Sequence, residues 1–218
     1  MAKSNEREYR TMVLSAVKEE RAEEDQEERM VVEGYASTFN EPYTLYEDNE
    51  IVFREQVDPG AFQNTDMTDV IMQYDHQGRV FARNKNGTLE VTTDDNGLLI
   101  RADLGGTDIG RELYEEIAGG YTDKMSFGFT VDKDEELRTE DERGRVDILR
   151  TITGVAKLYD VSAVSIPANN GTSIGVHTRS RIDGVIEEVR AERLAAEKME
   201  TERLRAEVKA RAMSGGNK

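Results

Sequence analysis

Apolar residues recur at every second position in a series of short runs along the chain, the pattern of strands that bury one face. "EYRTMVLSAV" (8–17), "RMVVEGYASTFN" (29–40), "DVIMQYDH" (69–76) and "KMSFGFTV" (124–131) read this way. "GTLEVTTDDNGLLIRADL" (87–104) holds two strands around the turn signal "DDNG", a hairpin. "EIVFREQVDPGAF" (50–62) is a strand ended by "DPG", and "RVDILRTITGVAKLYDVSAVSIPA" (145–168) supplies two more. Within "KMSFGFTV" the large Met125, Phe127 and Phe129 alternate with Ser126 and Gly128. A solvated face would carry Lys, Thr or Glu. A serine and a glycine there point to close approach by another backbone or a substrate.

Helical spacing is rarer. In "DIGRELYEEIAGG" (108–120) Ile109, Leu113 and Ile117 recur every four residues, and Gly119–Gly120 provides the stop. "KEERAEEDQEER" (18–29) has no apolar face and is expected to be an exposed loop or a frayed helix. "DEELRTEDERGR" (134–145) is expected to be a solvated hairpin loop. From about 181 to 213 the chain is rich in Ala, Glu, Arg and Leu, a helix by propensity. Its stripe of Ile182, Ile186, Val189, Ala196 and Met199 keeps no single heptad register, so it is expected to be an extended, loosely attached helix or to pack on a partner. The sum is a mainly β, α+β chain with few helices, a barrel or a sandwich. Three segments follow: 1–28, an N-terminal strand and charged loop that belong to the body; 29–180, the β domain; and 181–218, a charged helical tail.

Composition narrows the function. The 218 residues carry a formal charge of −16. From Arg181 onward nine Lys and Arg stand against eight Asp and Glu, so the acidity lies in the body. Such a field repels phosphate backbones and argues against a nucleic-acid partner; it suits basic partners, or simply a soluble surface. No stretch approaches the ~20 apolar residues of a membrane span, and "MAKSNEREYR" lacks the apolar core of a secretory signal. With no cysteine there is neither a disulfide nor a thiolate metal site. The only histidines are His76 and His177, too few for an ordinary catalytic zinc site. No phosphate-binding glycine loop is present, and no cofactor is implied.

What remains is a serine, a histidine and a carboxylate, which can form a triad whatever their order in the chain. His76 closes a strand. Ser126 is a nucleophile or a small filler. Asp160 stands in the otherwise apolar "KLYDVSAVSIP", where an ionised carboxylate needs a partner. Asp75 competes with Asp160 as that carboxylate, although neighbours on a strand point to opposite faces. His177 reads as a residue without a chemical role.

"VEGYASTFN", "VDPGAF", the strand-ending His76, "GTLEV…DDNGLLIRADL", "MSFGF" and "LYDVSAVSIPAN" occur in this order. Over about residues 29–177 the chain resembles the prohead (capsid maturation) serine proteases of tailed bacteriophages, a family similar in fold to the herpesvirus assemblins. "GYAS.F", "PGAF" and "MSFGF" together carry the likeness. The resemblance implies a closed or partly closed antiparallel β-barrel and a serine endopeptidase, with Ser126 as nucleophile, His76 as general base and Asp160 as third member. Many members place Asp directly after this His; here Asp75 precedes His76 and Gln77 follows it. An oxyanion hole could come from Gly128 or from "PANNGTS" (167–173), and neither is assigned. The resemblance further implies action in the host cytoplasm inside the procapsid. The implied partners are scaffold and the major capsid protein, the enzyme also cuts itself, and it is largely lost from the mature virion. A homodimer is an option, since assemblins depend on one. The rival reading is a catalytically inert scaffold or capsid-interaction protein on the same barrel.

Overall fold

The computed structural model describes residues 7–18, 29–142, 144–165 and 176–214. The chain divides into two units, Met1–Thr178 and Arg179–Lys218. Besides a 3-10 turn at Asn84–Asn86, the first unit holds eleven strands and one α-helix among its described residues. They are β1 (Glu8–Val13), β2 (Ser15–Lys18), β3 (Met30–Thr38), β4 (Tyr43–Glu47), β5 (Ile51–Val57) and β6 (Ile71–Tyr74). After these come β7 (Gln77–Arg83), β8 (Leu89–Thr93), β9 (Gly97–Asp103), α1 (Asp108–Ala118), β10 (Lys124–Glu140) and β11 (Val146–Val164). The helix α2 runs over Val176–Ser214 and, from Arg179 on, makes up the described part of the second unit. No helix among the described residues is long and apolar enough to cross a membrane.

The strands form two sheets, β1-β10-β11-β5-β4 with the β6–β7 hairpin also on β11, and β2-β3-β9-β8. Residues of both contribute to one core: Val32, Leu98 and Ile100 from the smaller sheet, Met125, Phe127, Leu158 and Val161 from the larger. The first predicted strand is two. At Leu14 the chain passes from the larger sheet to the smaller, and its carbonyl neighbour Val13 crosses so close to β3 that a Cβ on Gly34 would lie 2.6 Å from the Val13 oxygen. An isolated bridge between Phe39 and Val57 also joins the two sides. Among the described residues the ladders do not close on themselves, where the resemblance implies a closed or partly closed barrel. Nor is the larger sheet purely antiparallel. β11 lies parallel to β5 over Val146–Ile152 and parallel to β6 over Asp160–Ala163. A single strand of 19 residues is long enough to give one edge to both.

Two further expectations change. Residues 134–140 are strand, not loop, because β10 keeps its ladder with β11 out to Glu140–Val146. Among the described residues β1 pairs with β10 only as far as Phe129, so this stretch is a sheet edge there, where alternating charges are suited to block further pairing. The two strands expected over 145–168 are one. The "DDNG" hairpin and α1 with its Gly119 stop form as predicted, and Thr107 caps the helix by accepting from Gly110 N. The charge run at 19–28 and the turn "PANNGTS" lie outside the described residues.

Candidate active site

Four strands meet side by side, in the order β1, β10, β11, β6. Directly opposed residues of a ladder share a face. One row across the sheet is therefore Thr11, Ser126 and Ser162, and the next is Tyr9, Gly128 and Asp160. All six lie on the face away from Phe127, whose ring is in the core and stacks on that of Phe129. Ser126 and Ser162 are buried, as is Asp160.

The absence of a side chain at Gly128 makes this face work. A Cβ there would sit 2.6 Å from Asp160 Oδ2 and 2.9 Å from Tyr9 Cε1. The glycine between the two phenylalanines of "MSFGF" is thus explained by what stands over it, a carboxylate and an aromatic ring.

His76 arrives from outside these strands. Asp75 and His76 are the two residues between β6 and β7, with φ of 48° and 58°. Left-handed φ at both central positions is what a two-residue hairpin with the strand's own twist requires, and Asp and His tolerate it better than most side chains. The Asp75 carboxylate accepts from Ser165 N at 2.9 Å and from Ser165 Oγ at 2.9 Å, which pins the turn to the end of β11. The next residue then reaches over the sheet. His76 Nδ1 lies 2.5 Å from Asp160 Oδ1, its ring centroid 4.3 Å from that of Tyr9, and its side chain is 19% exposed. Ser162 Oγ donates to the same Asp160 oxygen at 2.9 Å.

The structure thus brings His76 onto Asp160 and puts Ser126 on the same face of the adjoining strand. Asp75 does not engage the imidazole; its carboxylate is committed to Ser165. The sequence treats Asp75 and His76 as neighbours on a strand; both instead form the β6–β7 turn, so the imidazole's partner is decided by the turn and not by alternation. Two buried polar atoms at this place have no hydrogen-bond partner among the described residues, His76 Nε2 and Ser126 Oγ. With Nδ1 engaged by a carboxylate, Nε2 is the nitrogen left to exchange a proton. A hydroxyl and an imidazole nitrogen that are both open, with an acid behind the ring, are the groups that nucleophilic acyl transfer uses. The side chain of His177 lies outside the described residues.

Tyr9, Ser162 and the anchoring role of Asp75 were not singled out from the sequence. Ser162 could have been: in "YDVSAV" it stands two residues from Asp160, hence on the same strand face. Tyr9 could not, because its place depends on which strand β1 joins.

A second cluster lies on the opposite face of β1, where Glu8 and Arg10 alternate with Tyr9. Glu8, Arg10, Glu55 and Arg150 are all buried. Arg10 donates to Glu55 Oε1 at 2.5 Å and to Glu8 Oε2 at 2.7 Å; Arg150 donates to Glu55 at 2.7 Å, to Glu8 at 2.8 Å and to Asp134 at 2.6 Å. Burial by itself would raise the Glu8 carboxyl, but Arg150 and Arg10 outweigh it and hold its pKa at about 2. The same guanidinium groups hold Glu55 below the usual carboxylate range against its burial.

A family model described as the caudovirus prohead serine protease matches residues 16–184. Among solved structures, the bacteriophage T4 capsid assembly protease, gp21, aligns with a TM-score of 0.42 at 13% identity, covering 73% of this chain and 99% of that one. No curated protein matches the chain in sequence.

Proposed function

Because the chain belongs to the caudovirus prohead serine protease family, we propose that Ser126, His76 and Asp160 are its catalytic residues and that it is an endopeptidase of capsid maturation. The observation that carries this reading is the His76 Nδ1–Asp160 Oδ1 bond on the sheet face that also bears Ser126. Ser126 Oγ attacks the carbonyl carbon of the scissile peptide while His76 Nε2 takes its proton. Asp160 stays ionised, fixes the ring with Nε2 outward and stabilises the imidazolium. The proton then passes from Nε2 to the leaving amine, and water, deprotonated by the same nitrogen, releases the acyl group from Ser126. The oxyanion donors stay unassigned.

The substrates in this reading are scaffold or the scaffold-like domain of the major capsid protein, met inside the procapsid in the host cell. The enzyme also cuts its own tail, the segment from about 181, and is largely lost from the mature virion. A charged helix of this kind exposes scissile bonds where it frays. The test is intact mass over time for wild type and Ser126→Ala, each alone and co-expressed with its coat protein. Fragments in the wild type only are the expected result. Identical clipping in both, or two intact proteins even beside coat protein, would leave the inert scaffold protein as the better account.

A further inference from the structure

A groove of about 520 Å³ runs beside the turn that carries His76. One wall is a face of β7, where Gln77, Arg79 and Phe81 stand at every second position. The other is a face of α1, where Ile109, Leu113, Glu112 and Glu116 stand three and four residues apart. Tyr74 and Asp75 close the end next to His76.

The chemistry of the walls is of two kinds. Phe81, Ile109 and Leu113 give a apolar floor, with Leu113 buried and the other two half-buried. Glu112 and Glu116 are exposed above it, one helical turn apart, and neither has an ion-pair partner among the described residues. Like charges at this spacing cost helix stability. With Asp75, three carboxylates face a single guanidinium, Arg79. Among the described residues β7 is also an edge strand, paired with β6 alone, and an edge accepts an extended chain whose alternate side chains point to one side.

We infer that this groove binds the substrate segment flanking the scissile bond, and that it selects an extended peptide with a bulky apolar side chain next to Lys or Arg. The inference rests on the protease reading above and deepens it. The apolar side chain packs on Phe81, Ile109 and Leu113; the basic one lies between Glu112 and Glu116. The acidic body steers such segments toward the site.

Binding is measured on Ser126→Ala protein, so that no turnover is needed. The probes are three fluorescein-labelled ten-residue peptides: a central Leu flanked by Lys-Arg, the same with Glu-Glu, and the Lys-Arg peptide with Ser in place of Leu. The Leu/Lys-Arg peptide is expected to bind roughly tenfold more tightly than the Glu-Glu one, the sum of two rim ion pairs. Its advantage falls with added salt, and the Ser peptide binds less well than its Leu parent. In Glu112→Lys/Glu116→Lys, whose changes are on the exposed face of α1, the order of the two charged peptides inverts. Equal binding of these two, no binding of any, or an order that survives the charge reversal overturns the inference. If instead the wild type never cleaves itself or its coat protein while this order holds, the catalytic reading fails and the groove stands.

Discussion

Asp160 Oδ2 occupies the place that a side chain at Gly128 would take, 2.6 Å from where its Cβ would be. The Asp160 carboxylate cannot retreat freely, because its other oxygen is held by His76 and Ser162. Gly128→Ala therefore pushes either Asp160 off His76 or the Tyr9 ring off both. Overpacking of this kind costs about 1–3 kcal/mol, and the protein should stay folded. Peptidase activity should fall on the order of 100-fold, since a misplaced base loses far more than the fold does. Circular dichroism and the rate of self-cleavage, measured together, check this; a fully active Gly128→Ala would show that the Asp160 position does not matter.

Asp160 and Asp75 differ in what they hold. Asp160→Asn leaves the shape but removes the charge behind the imidazole and offers it the wrong hydrogen-bond pattern, so kcat should drop on the order of 10⁴-fold. Asp75→Asn retains an oxygen that can accept from Ser165 N, and activity should stay within about tenfold of wild type. Equal losses in the two variants, read with one peptide substrate, would remove Asp160 from its assigned role.

The strand body was legible wherever one face is buried and the other wet. β9 alternates in this way. The first half of β10 was legible from its large and small residues alternating although both its faces are buried, and α1 carries its stop in sequence. β7 is not legible, because Gln77 to Val80 are exposed on both faces; it is a strand only since the Asp75–His76 turn folds it back on β6. The charged half of β10 hides for a related reason, its ladder being held by the apolar face of β11. In the site, Ser126, His76 and Asp160 could be singled out by residue type and family likeness. Their contacts could not, because they depend on β11 lying parallel to β6, a pairing between segments 84 residues apart at His76 and Asp160. Glu55 shows a signal that was available and unused. In "IVFREQV" it is in phase with Ile51, Phe53 and Val57, all buried, and so had to be a buried charge.

Acid should weaken the fold through Glu8. Its pKa lies at about 2 in the folded chain against an ordinary 4.5. A depressed carboxyl contributes stability that is complete above the unfolded value and lost as pH falls through the folded one. Its contribution is therefore full above about pH 5 and disappears between about pH 4.5 and about pH 2, with Glu55 acting in the same direction. Glu8→Gln should be less stable than wild type at pH 7, and the gap in urea midpoint should close toward pH 2. A gap that persists unchanged through this range would mean that Glu8 contributes by packing and not by charge.

Arg150 ties the buried cluster to the site through β1. It donates to Glu8 at the start of β1 and to Glu55 on β5, while Arg10, also on β1, completes the pairing. Between Glu8 and Arg10 stands Tyr9, whose ring lies against His76. Arg150→Met removes one partner from Glu8, Glu55 and Asp134 together, and leaving buried carboxylates uncompensated costs about 3–5 kcal/mol. The loss should concentrate on β1, so hydrogen exchange over residues 8–13 should rise more than over β11. Activity should fall with it, and to the same level as in Tyr9→Ala, which takes the ring from His76 without touching the cluster. If Arg150→Met frees β1 while Tyr9→Ala stays fully active, the strand holds the fold together but does not position His76.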